Sequence, residues 1–528
     1  MTPVVRIAEL ESTNARLQSD LTTLSTSYQS LNAEYENLKQ HLAWFQRQVF
    51  GEKSEKRLEI DEAIQPSLLT GLGVPDVALP PARPEETVTF TRRPKVRTDE
   101  TVLPAGLRFT DDAVIEELQL DDPAFEAIPE DEKERIGEKV TYRIAQRPSS
   151  YSILKLIRPV YKLKSSGEIV CAEAPPSIFP GCMADVSVLA GLMVDKGLYH
   201  LPIYRQHQRM TDGGVVVSRQ SPQNWTSRSV DLLTPIAQAQ GRHIVETNGH
   251  IAMDETPIKA GRAGPGKMKQ AYLWPIYGEH DEVVFHYASS RAHHHVETFL
   301  KGFTGTLISD GYSAYTAYAK KHDTLTHALC WAHARRYFER AEKADPTASA
   351  EALALIGALY RHEQFIRDKQ LTGEAKRDYR TIHSEPVVHA FWGWCDAQLA
   401  RTDLLPKHPM TKALHYVRER RSGLQVFLSD PEVPIDTNHL ERTIRAIPMG
   451  RRNWLFCWSE LGAKQIAVLQ SLLVTCRLQG VDPYTYLVDV LQRVSVYPDK
   501  DILDLTPRVW KEKFAHDPFR SIVDIVPA

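Results

Sequence analysis

Apolar side chains return every seven residues at the start of the chain. Leu10, Leu17, Leu24, Leu31 and Leu38 share one heptad position, with Phe45 next. Ile7, Asn14, Leu21, Tyr28, Tyr35, Leu42 and Val49 fill the other apolar position. A seam this narrow suits a helical partner. Residues 5–50 are therefore expected to form a coiled coil that joins chains into a homodimer or higher oligomer. Asn14 is the one polar residue in its series, and a buried Asn there favours a registered parallel dimer. The alternative is one amphipathic helix packed on its own chain.

The pattern then lapses. Residues 51–109 read as a linker, punctuated by Pro66, Pro75, Pro80, Pro81, Pro84, Pro94 and Pro104. Residues 110–183 read as a small β-rich α+β module, with β-branched and aromatic residues at strand spacing in VTYRIAQRPSSYSILKLIRPVYKLK (140–164). Three helices are expected over 184–240. They are VSVLAGLMVDKGL (186–198), LPIYRQHQRMTDGG (201–214), stopped by Gly213-Gly214, and SRQSPQNWTSRSVDLL (218–233), capped by Ser221 or Ser218. The last two resemble a helix-turn-helix, although any helical hairpin reads the same way. Arg219, Gln223, Asn224 and Arg228 are its candidate DNA contacts.

From residue 245 the period changes to two. GHIAMDETPIKAG (249–261), KQAYLWPIYGEH (269–280) and EVVFHYASSR (282–291) predict an antiparallel meander. A short helix follows around 294–303, then a strand GTLISDGYSAY (305–315) that ends at Asp310. DTLTHALCWAHARRYFERAEK (323–343) reads as strand then helix. Residues 345–430 and 479–528 read as helical.

Composition narrows the functional classes. Net charge is −3, with 42% apolar and 25% charged residues. Any nucleic-acid surface must then be a local patch. Six cysteines without paired spacing suit a reducing cytoplasm. The start, MTPVVRIAELEST, lacks a signal peptide's apolar core. No uncharged apolar run reaches ~18 residues, so no membrane partner is expected.

Three acids stand out. Asp254 lies inside a strand-like run, beside Glu255, where a carboxylate is costly without a partner or a cation. Glu255 is expected on the opposite face, with Thr256-Pro257 bending the chain away. Asp310 precedes Gly311 at a strand's carboxyl end, where ligands gather in α/β sheets; an Asp-Gly turn explains it equally well. Glu441 shares a helical face with Asn438 and Arg445, though Asn438 and Glu441 also fit a capping box; Pro448 is expected to end that helix. Arg442, Arg445, Arg451, Arg452, Asn453 and Trp454 form the densest basic-aromatic cluster, suited to phosphates and bases. Three oxygen ligands are what Mg²⁺ or Mn²⁺ takes. Two such ions ~3.5–4 Å apart activate an attacking oxygen and stabilise a leaving one.

The strings FGEKSEK (50–56), LPIYRQHQRM (201–210), MDETPIKA (253–260), SDGYSAY (309–315), CWAHARRYF (330–338), NHLERTIRAIPMGRRNWLF (438–456) and GVDPYTYLVDVL (480–491) resemble, in this order, the insertion-sequence-sixty-six group of bacterial DDE transposases. The resemblance implies a multidomain α+β chain with a ribonuclease-H-like core in two parts, 245–344 and 431–478, around a helical insertion at 345–430. It implies Asp254, Asp310 and Glu441 as catalytic and metal-binding residues. Cys330 and His333 belong to the signature of cores with such insertions and are read as structural. It implies cleavage of 3′ strands at element ends, joining to target DNA, accessory transposition proteins as further partners, and a place in the cytoplasm at the nucleoid. The family's upstream module usually carries four zinc-binding cysteines. Here Lys162 and Ser165 stand where cysteines are expected, and Cys171 and Cys182 are alone, so zinc is not expected. A non-catalytic DNA-binding protein and a nuclease that cuts without joining are the competing readings.

Overall fold

The computed structural model describes residues 101–102, 107–109, 113–120, 127–147, 150–454, 457 and 459–525, with Arg16 and Gln18 before them. Apart from Arg16 and Gln18, the expected coiled coil over 5–50, with its Asn14, lies outside the described residues, as does most of the expected linker. The chain divides into two units between Pro94 and Lys95. Of the first, Arg16 and Gln18 are helical and exposed. The second is a mixed α+β assembly.

The end of the segment expected as linker is structured. Strands β1 (Thr101–Val102) and β2 (Arg108–Phe109) pair antiparallel. Leu107 and Phe109 are buried in a core shared with the following helices, because two large apolar side chains outweigh the surrounding polar composition. Strands β3 (Ile115–Gln119), β4 (Lys133–Arg147), β5 (Ser150–Leu163) and β6 (Ile169–Cys171) form a second sheet. Its centre is the long β4–β5 hairpin, to which β3 adds in parallel.

Helix α1 (Val186–Gly197) is buried along most of its length and capped by Asp185, which accepts from the Ser187 N–H at 2.9 Å. Helix α2 (Ile203–Asp212) ends at Gly213, and strand β7 (Val215–Val216) joins β2. Helix α3 runs from Gln220 to Thr247, well past the expected end near residue 233 and across the expected boundary at 240. Pro235 does not stop it. Its buried face, with Leu233, Ile236, Ala237 and Ile244, continues on both sides of the proline, and that burial outweighs one lost backbone hydrogen bond. Neither serine stands at its cap position, which is Arg219; Ser218, just before it, accepts from the Ser221 N–H at 3.2 Å.

The third sheet holds β8 (His250–Met253), β9 (Thr256–Gly264), β10 (Lys267–Gly278) and β11 (Val283–Ala288), which form the expected meander. Helix α4 (His294–Phe299) leads to β12 (Gly305–Ser309), helix α5 (Ser313–Lys321), β13 (Leu325–Leu329) and helix α6 (Trp331–Ala341). Strand order is β11-β10-β8-β12-β13, with β9 on β10. Strands β8, β12 and β13 are parallel. Ile251 and Met253 bury on one face with Trp274 and Tyr315, while Ala252 and Ile308 bury on the other.

The second face is covered partly by the helical insertion: α7 (Pro346–Asp368), α8 (Gly373–Tyr379), α9 (Glu385–Leu399), α10 (Pro409–Arg418) and α11 (Arg421–Ser429). Then come α12 (Asn438–Ile444), α13 (Ala446–Trp454), α14 (Glu460–Leu478), α15 (Pro483–Arg493), α16 (Pro507–Lys513) and α17 (Ile522–Ile525). Helix α14 lies along edge strand β11. Its Ser471 and Thr475 hydroxyls accept from the N–H groups of Phe285 (2.8 Å) and Val283 (3.1 Å). Gln240 of α3 donates to the Val283 carbonyl at 2.7 Å. These side chains occupy backbone groups that an edge strand otherwise leaves open to another chain. Among the described residues no helix is long and apolar enough to cross a membrane.

Candidate metal and nucleic-acid site

The run that carries Asp254 is not one strand. Strand β8 stops at Met253 and β9 starts at Thr256, and both pair with β10. The register sets Pro275 and Trp274 opposite Asp254 and Glu255. Proline has no N–H to offer a partner strand, and the ladder is broken there. Asp254 therefore sits at the end of β8 rather than in mid-strand. Its carboxylate accepts from the Glu255 N–H at 2.8 Å.

The two neighbours separate, as alternation requires. Glu255 is buried on the Trp274 side. It accepts from the Tyr315 hydroxyl at 2.7 Å and is ion-paired with Arg291. Arg291 in turn lies over the Tyr312 ring at 4.0 Å. Burial raises the Glu255 pKa, while Tyr315 and Arg291 oppose the rise.

Asp310 follows β12 directly. Its carboxylate accepts from the Tyr312 N–H at 2.8 Å, which closes a tight turn over Gly311. Gly311 has φ +81°, and a Cβ there would lie 2.7 Å from Arg420 Nε, so the turn needs glycine on both counts. Tyr416 and Arg420 of the insertion donate to the carbonyls of Asp310 (2.8 Å) and Gly311 (3.2 Å). The insertion thus braces the second acid.

Glu441 lies in the first turn of α12, but not in a capping box. The cap position is Thr437, and Asn438 turns back to donate to Asp436. Pro448 stands inside α13. Its missing N–H falls four residues after Ile444, where α12 ends, so the proline acts one turn upstream of itself. Cys330 anchors this region, accepting from both the N–H and the hydroxyl of Thr437 at 3.3 Å. Glu441 itself is held by Arg336 of α6, whose Nη2 donates to both carboxylate oxygens, to one at 2.7 Å. Arg336 Nη1 also lies 3.1 Å from His333 Nε2, which makes that nitrogen the acceptor. His333 Nδ1 is buried with no partner among the described residues.

Asp254 senses the other two acids. The Asp254 pKa is pushed up to about 7, first by burial, then by the charges of Glu255, Asp310 and Glu441. Crowded carboxylates of this kind favour a proton or a cation between them. They do not converge on one point, however. Among the described residues no group of three His, Cys, Asp or Glu side chains stands close enough to hold an ion, and Arg336 already takes the oxygens of Glu441. The donor chemistry suits a hard divalent ion; the placement of Glu441 does not yet provide its third ligand.

The basic candidates split into groups. Arg451 donates to the carbonyl of Pro257, next to the Asp254–Glu255 break. Arg452 and Asn453 are exposed, and Trp454 packs over Gly450. Arg219, stacked on Tyr204 at 4.4 Å, lines with Gln223, Lys196, Asn453 and Trp454 a groove of about 760 Å³. Two candidate clusters more than 200 residues apart in sequence thus share one surface. Asn224 and Arg228 are not among its lining residues; Asn224 accepts from Gln220, and Arg228 covers the Phe179 ring at 4.1 Å. Arg442 and Arg445 line a separate groove. Cys171 and Cys182 have backbone carbonyls as partners, those of Arg158 and Ala184. Sequence reasoning assigned no role to Arg336, Arg291, Tyr315 or Tyr416. For Arg336 the signal was its place one turn after His333 on a predicted helix.

The chain is 30% identical over 393 residues to the uncharacterized protein y4qI of Sinorhizobium fredii, covering 71% of this chain and 72% of the relative. It is 30% identical to y4jD of that organism over 68% and 72%, and 27% identical to y4hP over 72% of each. Residues 181–465 match the profile described as the IS66 family transposase, and residues 471–507 match the IS66 C-terminal element. A match across the whole sheet, the insertion and all three acids means that the chain belongs to the IS66 family of transposases.

Proposed function

We propose that this transposase binds the ends of its insertion sequence, cleaves the 3′ strands and transfers them into target DNA, with Asp254, Asp310 and Glu441 holding Mg²⁺ or Mn²⁺. The observation that carries the reading is the placement of Asp254 and Asp310 at the carboxyl ends of the neighbouring parallel strands β8 and β12, with Glu441 on α12 near enough for the charges of Asp310 and Glu441 to raise the Asp254 pKa. Strand order β11-β10-β8-β12-β13, with its parallel half bearing the two aspartates, supports a ribonuclease-H-like core.

When bound, the ions supply Lewis-acid activation of the attacking water or 3′-hydroxyl and stabilisation of the departing oxygen. The protein's own groups do the positioning. Tyr416 and Arg420 hold the Asp310 turn, Arg291 and Tyr315 hold the loop after Asp254, and Cys330 ties α12 to the end of β13. Arg336 balances the charge of Glu441 and orients it. Arg451 and Arg452 beside the site supply phosphate contacts, with Arg219, Gln223, Asn453 and Trp454 forming a further DNA surface. Pairing of chains through residues 5–50, with Asn14 setting register, would keep two element ends together, with accessory proteins as further partners, in the cytoplasm at the nucleoid.

The test is incubation of the full chain with duplex DNA carrying the element's terminal repeats, with and without Mg²⁺ or Mn²⁺. Cleaved 3′ ends and a joined product are expected. Cleavage without joining would leave a nuclease. Full activity in Asp254→Asn would remove the reading.

A further inference from the structure

Helix α12 presents a second chemical surface beside the one that carries Glu441. Arg442 and Arg445 line a groove of about 670 Å³, completed by the end of α1, the β10–β11 turn and Arg477 of α14. Three permanently charged guanidinium groups therefore share one concave surface. Among the described residues none has a carboxylate partner; Arg442 donates to the carbonyl of Asn438 at 3.3 Å. The lining contains one acid, Asp281, and its carboxylate already accepts from the Tyr277 hydroxyl at 2.6 Å.

Two further features mark the rim. His200 and Asp281 both line the groove and both have left-handed backbone, at φ 57° and 54°. Only one other non-glycine residue among those described does so. Such conformations persist where surrounding structure holds them and gather at ligand clamps. His200 Nδ1 is also buried without a partner among the described residues. An imidazole nitrogen with no partner and three guanidiniums without a carboxylate partner together call for an anion with several acceptor oxygens. Planar guanidinium matches phosphate in a bidentate manner.

We infer that this groove is a DNA backbone grip, with Arg442, Arg445 and Arg477 on consecutive phosphates of the strand led to the acid cluster. The inference rests on the DNA-transposase reading and assigns to Arg477 and His200 a role that reading does not contain. A backbone fits better than a small anion because the cations stand on α12 and α14 rather than around one point. Arg442 follows Glu441 on α12, so the groove lies on a neighbouring face of the helix that carries the third acid.

The experiment measures affinity of the full chain for a labelled duplex across a salt series, using wild type, Arg442→Gln/Arg477→Gln, Arg477→Gln alone, and Arg418→Gln on the exposed face of α10. Each phosphate contact contributes about 0.9 to the slope of log affinity against log salt. The double variant should lose about 1.8 of slope and at least tenfold in affinity at low salt. Arg477→Gln should lose about half that slope, and Arg418→Gln nothing. An unchanged slope in both groove variants overturns the inference, including where inorganic phosphate alone still protects the groove and marks a small-anion site. No DNA binding by wild type would instead overturn the transposase reading beneath it. Arg477 is exposed, so its single variant stays informative if the double variant folds poorly.

Discussion

The arginine–glutamate pair Arg380–Glu363 in the helical insertion and the pair Arg336–Glu441 at the acids differ in what surrounds them. Arg380 and Glu363 form two hydrogen bonds, at 2.8 and 2.9 Å, with side chains 0% and 6% exposed. Arg380 Nη1 also donates to the carbonyls of Phe427 and Val433. Arg336 and Glu441 also form two hydrogen bonds, but are 40% and 26% exposed and lie beside other carboxylates. The first pair has its donors committed in a dry interior, where it closes the insertion on the segment that leads to α12. The second is open to solvent and to exchange. The same two residue types make a brace in one place and an adjustable contact in the other, and dielectric and unfilled lone pairs decide which.

The largest effect expected from breaking this contrast is catalytic. Asp254→Asn or Asp310→Asn should lower metal-dependent cleavage about a thousandfold, since several kcal/mol of charge stabilisation is lost. Thermal unfolding should change little in either variant. A cleavage assay paired with a melting curve checks both, and retained cleavage would dissolve the distinction between site and brace.

Next is the brace itself. Glu363→Ala leaves a buried guanidinium without its carboxylate and should cost about 3–5 kcal/mol, read as a large drop in melting temperature. Arg336→Gln, at the half-open pair, should cost no more than about 1 kcal/mol. Equal losses would show that exposure does not separate the two pairs.

A third probe tests burial without pairing. His286 stacks on Phe299 at 4.6 Å, and burial pushes its pKa down to about 4. The unfolded chain takes up that proton near pH 6.5, and the folded chain does not until about pH 4. Stability present above pH 6.5 is therefore lost as pH falls through this window. The loss should be on the order of 1–2 kcal/mol by pH 4.5 because the ring keeps some exposure, and His286→Gln should flatten it. Chemical denaturation at a series of pH values measures the slope.

The smallest expected change is at the surface. Arg452→Ala should reduce the salt slope of DNA binding by about 0.9, with a few-fold loss of affinity. Arg451→Ala should reduce it by less, since that guanidinium already serves the Pro257 carbonyl. Identical slopes in wild type and both variants would point these arginines away from DNA.

Much of the architecture was legible because it is periodic. Strand alternation located β10 and β11, and the Asp-Gly at 310–311 marked the end of β12. Periodicity failed where packing overrode a local signal. The third helix reads as ending near residue 233, yet α3 continues through Pro235 to Thr247; Asn438 and Glu441 read as a capping box, yet Asn438 bonds Asp436. The strand run at 249–261 reads as continuous, yet Pro275, which is distant in sequence, sits opposite the point where it breaks.

What the sequence determined alone was therefore the local content: which segments extend, which coil, and which residues bring carboxylates and guanidiniums in family order. Only the folded chain decided which of those groups meet. Arg336 reaches Glu441 across 105 residues, and Arg219 shares a groove with Asn453 and Trp454. Local backbone preference acts over a few neighbouring residues. These contacts depend on how whole helices bury their apolar faces, and no stretch of sequence encodes that by itself.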